Sequence, residues 1–334
     1  MKRKVILSSV IGIAATLIVG CGGVNGATST ETETKIVRVA FNQSESHPEY
    51  IAMKEFGEKF EEATDGAYKV EIYPNAVLGD QGAVTEFVRT GALDMAMVPC
   101  SVPEGYNADF GIMGAPYLYN DMEHMEKAIL SGVFDDLFKS TKHNNFEVVA
   151  AYNAGVRNIY TDKPINTPED LKGYKIRVMD SNTYIEMLNL MGGIGTPMAQ
   201  GDVYTAVQQK VIEGGENSER VFVDFKHYEI SKYYSYTKHI ILPDVVVANE
   251  GFLNSMTSEH REAFDKLMRE SIEKEFELFA KSAEEGKKEA EKNGTVFIYP
   301  DVELFREKCK PILDRLSNQS ETTRKIYNDI QALK

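Results

Sequence analysis

The sequence predicts an α/β protein of two lobes crossed by one long helix, and three observations carry that reading. Strand and helix patterns alternate from Lys35 to Val98, the alternation restarts once beyond Gly155, and residues 258–293 hold a helical pattern without an internal proline. Alternation of this kind packs helices on the faces of a mainly parallel sheet, and the length exceeds one typical domain.

Taken in order, Lys35-Ile-Val-Arg-Val-Ala-Phe41 alternates like a strand entering a core. Asn42–His47 is a polar loop, and Pro48 opens a helix with Ile51, Phe56 and Phe60 on one face. Asp65-Gly66 ends it, Tyr68–Tyr73 is the next strand, and Leu78-Gly-Asp80 leads into a helix that Gly91 closes. Leu93–Val98 is apolar enough for a buried strand, so the first lobe reads as a doubly wound parallel sheet. In such sheets ligands meet the carboxyl ends of strands, here the loops Asn42–His47 and Pro99–Pro103.

Helices are expected near Met122–Leu130 and Phe134–Asn144, then a strand at Glu147–Asn153. Gly155-Val-Arg157 breaks the pattern and Asn158–Thr161 resumes it. Thr167-Pro-Glu-Asp170 reads as a short helix start, Gly173 ends it, and Tyr174–Val178 is a strand with Arg177 facing away from Ile176 and Val178. Helices at Thr183–Met191 and Asp202–Lys210 precede the loop Glu213-Gly-Gly-Glu-Asn217. Lys238–Leu242 and Val245–Asn249 read as paired strands around Pro243. The long helix has a single interior glycine, Gly286; a strand at Thr295–Tyr299 and two helices finish the chain.

At the N-terminus, Met-Lys-Arg-Lys4 precedes an apolar run from Val5 to Val19, too short to span a bilayer as a mature helix and shaped like a secretory signal. Ile18-Val-Gly-Cys21 resembles the bacterial lipobox, which makes Cys21 the expected lipidation site and the membrane a partner through a lipid anchor. A leader over residues 1–20 and a Gly/Thr/Ser-rich tether over 21–34 follow from this. The net charge of −14, more negative once Lys2, Arg3 and Lys4 are removed, argues against nucleic acid and anionic lipid surfaces as partners. Cys100 and Cys309, the two remaining cysteines, are expected to be free or buried.

Signatures of catalysis are missing from the sequence: no Gly-rich phosphate loop, no nucleophile elbow, no paired histidines and no CxxC. No catalytic residue, metal or cofactor is therefore expected. What stands out is a donor set. A guanidinium on a short strand among apolar residues, Arg177, is costly unless an anion answers it, either an internal carboxylate or a ligand. Arg157 lies at the seam between lobes, and Asn217 follows Gly214-Gly215, where backbone could approach a ligand closely. Together they suit one pair of anionic oxygens.

These residues sit in motifs that resemble the solute-binding proteins of the tripartite ATP-independent periplasmic (TRAP) transporter family. The matching stretches are Leu78-Gly-Asp80, Gly91-Ala-Leu-Asp-Met95, Gly155-Val-Arg157, Leu171-Lys-Gly-Tyr-Lys-Ile-Arg177, Gly195-Thr-Pro-Met198, Val203-Tyr-Thr-Ala-Val-Gln-Gln209 and Glu213-Gly-Gly-Glu-Asn217, in unbroken order over about residues 35–330. The resemblance implies a two-lobed periplasmic-binding-protein fold that closes over ligand as the long helix bends. It implies no enzymatic turnover, a monomer, and TRAP integral membrane subunits as partners. It also implies that Arg177 holds a substrate carboxylate in a bidentate pair with Arg157 and Asn217 assisting. With joints near Ala154 and Pro243, lobe I is expected to take residues 35–154 with 243–282, and lobe II 155–242 with 283–334. Departures from the family pattern are Glu213-Gly214 in place of Asp-Gly, and Ser218 where a proline is common.

The rest of the ligand is read less directly. His47 lies on the loop after the first strand, as either a ligand contact or a helix-start residue. Asn42, Gln43 and Glu45 share that loop, and Asp80, Ser101, Asn153 and Asn182 are further polar candidates. An acid such as Glu45 or Asp80 would prefer hydroxyls to a second ligand carboxylate, because like charges repel. The stretch from His47 to Gly79 also resembles relatives that bind hexuronates. A small organic acid, first a hexuronate such as glucuronate or galacturonate, is therefore expected, with a C4-dicarboxylate or 2-oxo acid second and a lipid-anchored lyase or isomerase a remote alternative.

Overall fold

The computed structural model describes residues 34–334; the expected leader, Cys21 and the tether up to Glu33 lie outside the described residues. Among the described residues nine strands form one mixed sheet: β1 (Lys35–Ala40), β2 (Tyr68–Tyr73), β3 (Met95–Pro99), β4 (Phe146–Thr161), β5 (Lys175–Val178), β6 (Ile194–Pro197), β7 (Gly214–Asn217), β8 (Tyr233–Asn249) and β9 (Val296–Ile298). Their order is β2-β1-β3-β8-β4-β7-β5-β6, with β9 paired to β8.

The two wings, β2-β1-β3 and β7-β5-β6, are parallel, as alternating strands and helices require. The centre is not. β8 runs antiparallel to β3 and β4, and β4 antiparallel to β7. The reason is connectivity: the chain crosses from the first wing to the second along β4 and returns along β8, and a returning strand must run the other way. The expected parallel sheet thus holds only within each wing.

Two local expectations are corrected. Gly155-Val-Arg157 does not end a strand; β4 continues for 16 residues, with a register shift between Asn153/Pro243 and Val156/Ile241. Gly155 takes φ 91°, and a Cβ there would lie 2.6 Å from Ser218 Cβ and 2.7 Å from a Phe279 ring carbon. Nor do the segments around Pro243 pair with each other. They are successive parts of β8, where Pro243 faces Asn153 across the same irregularity and its carbonyl accepts from Cys100 N at 3.1 Å. A bulge lets an extended strand absorb a bend without breaking, which local sequence patterns read as an interruption.

Smaller differences follow the same logic. Gly214–Asn217 and Ile194–Pro197 are strands although glycine and proline disfavour them, because β5 lies between both and supplies their partners. The helix expected over Phe134–Asn144 shortens to Asp135–Lys139 and a turn at Lys142–Asn144. The Thr167 start is a 3-10 turn with Asp170 accepting from the Thr167 N–H at 3.0 Å, and Gly173 closes it at φ 81°.

The long helix runs from Ser258 to Lys292, 35 residues, or roughly 50 Å at ~1.5 Å per residue. Phe264 meets Phe56 and Phe60 edge-on at one end. In the middle, Ser271 bonds Tyr152 at 2.6 Å and Glu275 accepts from Asn153 N at 2.8 Å. Gly286 lets the other end approach the Glu219–Asp224 helix, where a Cβ would stand 3.2 Å from Arg220 N. The helix therefore touches the Pro48–Ala63 helix, β4 and the Glu219–Asp224 helix in turn. The last helices, Val302–Ser317 and Glu321–Ala332, also bridge: Arg315 reaches Glu186 at 2.6 Å and Ser320 bonds Asp109 at 2.8 Å. Cys100 and Cys309 are buried and unpaired.

Candidate functional site

Three neighbouring strands bring the donor set together. Asn158 on β4 faces Asn217 on β7, Ile159 faces Glu216, and Gly215 faces Arg177 on β5. Gly214 and Gly215 are needed for this packing rather than for a ligand. A Cβ at 214 would sit 2.1 Å from the Tyr160 carbonyl oxygen, and one at 215 would sit 2.4 Å from the Tyr160 hydroxyl.

The two arginines, both buried, are answered differently. Arg157 donates from Nε to Glu216 Oε2 at 2.5 Å and from Nη2 to Glu216 Oε1 at 2.7 Å, with Nη1 on Asn217 Oδ1 at 3.1 Å. Glu216 also lies 3.3 Å from His239 Nε2, whose Nδ1 is 2.8 Å from Thr237 Oγ1. Burial pushes the Glu216 carboxyl up, but the charge of Arg157 and the hydrogen bonds from His239 and Arg157 outweigh it and hold it at about 2. This is an internal ion pair, complete as it stands.

Arg177 has only neutral acceptors. Its Nε donates to the Met198 carbonyl at 2.9 Å and its Nη1 to Gln200 Oε1 at 3.0 Å, and among the described residues no carboxylate lies within 4.0 Å. Burial brings it down to about 10, with Glu216 pulling up and Arg157 pushing down. Gln200 Oε1 also accepts from Asn217 Nδ2 at 3.1 Å, so one amide oxygen aligns Arg177 and Asn217.

Two cavities share Arg177, Met179 and Gln81 in their walls. The outer one, about 820 Å³, is lined by Asp80, Ser101, Glu104, Ser181 and Asn182 among others. The inner one, about 20 Å³, is bordered by Asn42, Gln43, His47, Arg157, Gln200, Asn217 and Asp244. The inner space is about the size of one water, and the Arg177 side chain stands in the wall of both cavities, where a charged hydrogen bond counts for more than in open solvent. Glu104 spans the outer cavity's wall, accepting from Ser181 at 3.1 Å and Thr183 at 2.8 Å.

The pattern that defines the bacterial extracellular solute-binding proteins of family 7 matches residues 39–320. The chain belongs to that family. A TRAP periplasmic solute-binding protein from Anaerococcus prevotii, solved with bound α/β-D-glucuronate, is 34% identical with a TM-score of 0.87, covering 90% of this chain and 98% of that one. A second, from Xanthobacter autotrophicus with bound β-D-galacturonate, is 28% identical with a TM-score of 0.85, covering 89% and 99%. The 2,3-diketo-L-gulonate-binding periplasmic protein of Escherichia coli is 28% identical over 80% of this chain and 83% of its own length.

A family 7 protein is an extracytoplasmic binder of TRAP transport, not an enzyme, and its task is reversible capture. Seen that way, the sequence-predicted residues fall into groups. Arg157, Arg177, Asn217 and His47 border the inner pocket together, with Asn42 and Gln43. Asp80 and Asn182 border the outer cavity, where Asp80 also caps the Gln81–Arg89 helix by accepting from Ala83 N at 2.8 Å. Asn153 borders neither; its Oδ1 accepts from Gly155 N at 2.8 Å and shapes the bulge. Glu45 is exposed and borders neither. His47 also precedes the helix Pro48–Ala63. Sequence reasoning missed Gln200, Glu216, His239 and Asp244 as a group. Glu216 could have been found, because one step along β7 from Asn217 is a buried carboxylate that requires a cation.

Proposed function

We propose that this chain captures a hexuronate, such as glucuronate or galacturonate, and hands it to TRAP membrane subunits. The observation that carries the reading is the contrast between the arginines: Glu216 neutralises Arg157, whereas Arg177 is buried in the wall of both cavities with no carboxylate of its own among the described residues. A ligand carboxylate on the Arg177 fork, with Asn217 and Gln200 holding its orientation, supplies the missing charge. Glucuronate and galacturonate in the relatives above support a sugar acid. A few charge-assisted hydrogen bonds at ~1.5–3 kcal/mol each support micromolar or tighter capture after ordering costs.

The lobes are proposed to part at Ala154 and Pro243. Lobe I then takes 35–154 with 243–282, and lobe II 155–242 with 283–334, although the two C-terminal helices touch both sides. Asp80 and Asn182 would meet ligand from the outer cavity. The protein is proposed to act as a monomer tethered by lipidated Cys21. The test is a calorimetric panel of glucuronate, galacturonate, malate and pyruvate against the purified protein. Tight binding of a hexuronate without any new product is expected; preference for malate or pyruvate, or product formation, overturns the reading.

A further inference from the structure

Buried polar atoms without partners are few in a folded protein, and several here surround one space. Asn42 Oδ1, Gln43 Oε1, both ring nitrogens of His47, Gln200 Nε2 and Asp244 Oδ1 are shut off from solvent without a hydrogen bond among the described residues, and all five residues border the inner pocket. Three of these six atoms are oxygen acceptors and one nitrogen of the neutral His47 ring is a fourth, so the pocket asks for a ligand that brings more donors than acceptors. Hydroxyls are such donors; a second carboxylate is not.

Asp244 is the charged member of the group. It is 3% exposed, it lies at the centre of β8 beside Pro243, and its buried Oδ1 accepts no hydrogen bond from the described residues. Behind it stand two more buried carboxyls, Glu49 on the Pro48–Ala63 helix and Glu275 on the long helix. Arg157, whose charge reaches it, is already clamped by Glu216. Among the described residues these acids are not arranged to hold a metal ion.

We propose that Asp244 is a specificity-determining residue of the site, its carboxylate receiving ligand hydroxyls beside the His47 ring while its charge refuses a second ligand carboxylate. This rests on the reading that Arg177 takes the ligand's own carboxylate. A carboxylate can accept from two neighbouring hydroxyls at once, so the ligand class is a monocarboxylic acid bearing a vicinal diol. Arg177 is the cation of this pocket that no carboxylate answers among the described residues, and it is taken by the ligand's own carboxylate, so a second one would meet Asp244 without a counter-charge.

The test is titration calorimetry at pH 8, where Asp244 carries its charge, on the purified protein, unchanged and as Asp244→Asn and Arg177→Ala, with D-glucuronate and L-malate. Asp244→Asn is expected to weaken glucuronate on the order of 10- to 100-fold and to narrow its preference over malate. Glucuronate binding within twofold of the unchanged protein overturns the inference, and if Arg177→Ala still abolishes binding then the carboxylate reading survives without it. Retained binding in Arg177→Ala removes both. As a measurement independent of any variant, the 2-, 3- and 4-deoxy-glucuronates are titrated against the unchanged protein. At least one is expected to lose tenfold or more, and equal affinity across the series overturns the inference.

Discussion

Glu216 closes both of its carboxylate oxygens on Arg157, while Arg177, paired through β7 to the neighbouring Gly215, meets only the Met198 carbonyl and the Gln200 amide. Two guanidiniums of one pocket therefore have different duties. The first is finished inside the protein and holds Asn217 in place; the second keeps its fork for something that arrives.

Breaking the finished pair should cost fold. Glu216→Ala leaves Arg157 buried without a counter-charge, which is expected to destabilise by about 3–5 kcal/mol. The pair also sets an acid limit. The Glu216 carboxyl is held at about 2 against an ordinary 4.5, so its contribution is present above pH 4.5 and lost as pH falls from there toward 2. Acid unfolding followed by circular dichroism should shift to higher pH in Glu216→Gln; an unchanged acid midpoint would sink the account.

Arg177→Ala should behave in the opposite way. Removing a buried cation that no carboxylate answers is expected to leave the melting temperature of the ligand-free protein unchanged or raised, and to weaken hexuronate by roughly a hundredfold or more. Arg177→Lys keeps the charge but loses the planar fork and should recover only part of that affinity. A large drop in stability with affinity intact would mean that Arg177 is structural.

Asp244 gives a prediction in pH. Burial lifts its carboxyl to about 7 from 3.8, with Arg157 pulling the other way, so between these values the native state binds the extra proton and stability falls as pH rises. Glu49 and Glu275, also pushed up by burial, act in the same direction, whereas neutral His47, held at about 3, acts against it below its usual range. Comparing Asp244→Asn with the parent isolates the one group. Its gain in melting temperature should be near zero at pH 4 and reach a few degrees above pH 7. A gain independent of pH would contradict the assignment.

What the sequence revealed of this site followed its locality. Arg177 could be singled out because a charge inside Lys-Ile-Arg-Val is anomalous on the strand itself, and the long helix because its pattern is continuous. Asp244 could not, since Leu-Pro-Asp-Val reads as a turn between two strands until β4 and β8 are seen to run on through Gly155 and Pro243. The unpaired state of Arg177 was equally hidden. Nothing in the chain order tells which arginine Glu216 will take; the register of β4 on β7 decides it.

That shared irregularity supplies the last prediction. Gly155 holds φ 91°, a conformation that side chains rarely take, and a methyl there would meet Ser218 at 2.6 Å and Phe279 of the long helix at 2.7 Å. Gly155→Ala therefore has two costs: backbone strain of about 1–3 kcal/mol, and a clash that must move either β4 or the long helix at the level of the bulge. A melting temperature lowered by several degrees is expected. Affinity should also fall even though residue 155 borders neither cavity, because Arg157 is two residues along the same strand and Asn217 is held by Arg157. Thermal melts and glucuronate titrations on the same variant separate the effects. Full stability and full affinity together would show that the bulge tolerates a side chain, and that the bend at Gly155 and Pro243 is not what aligns the pocket.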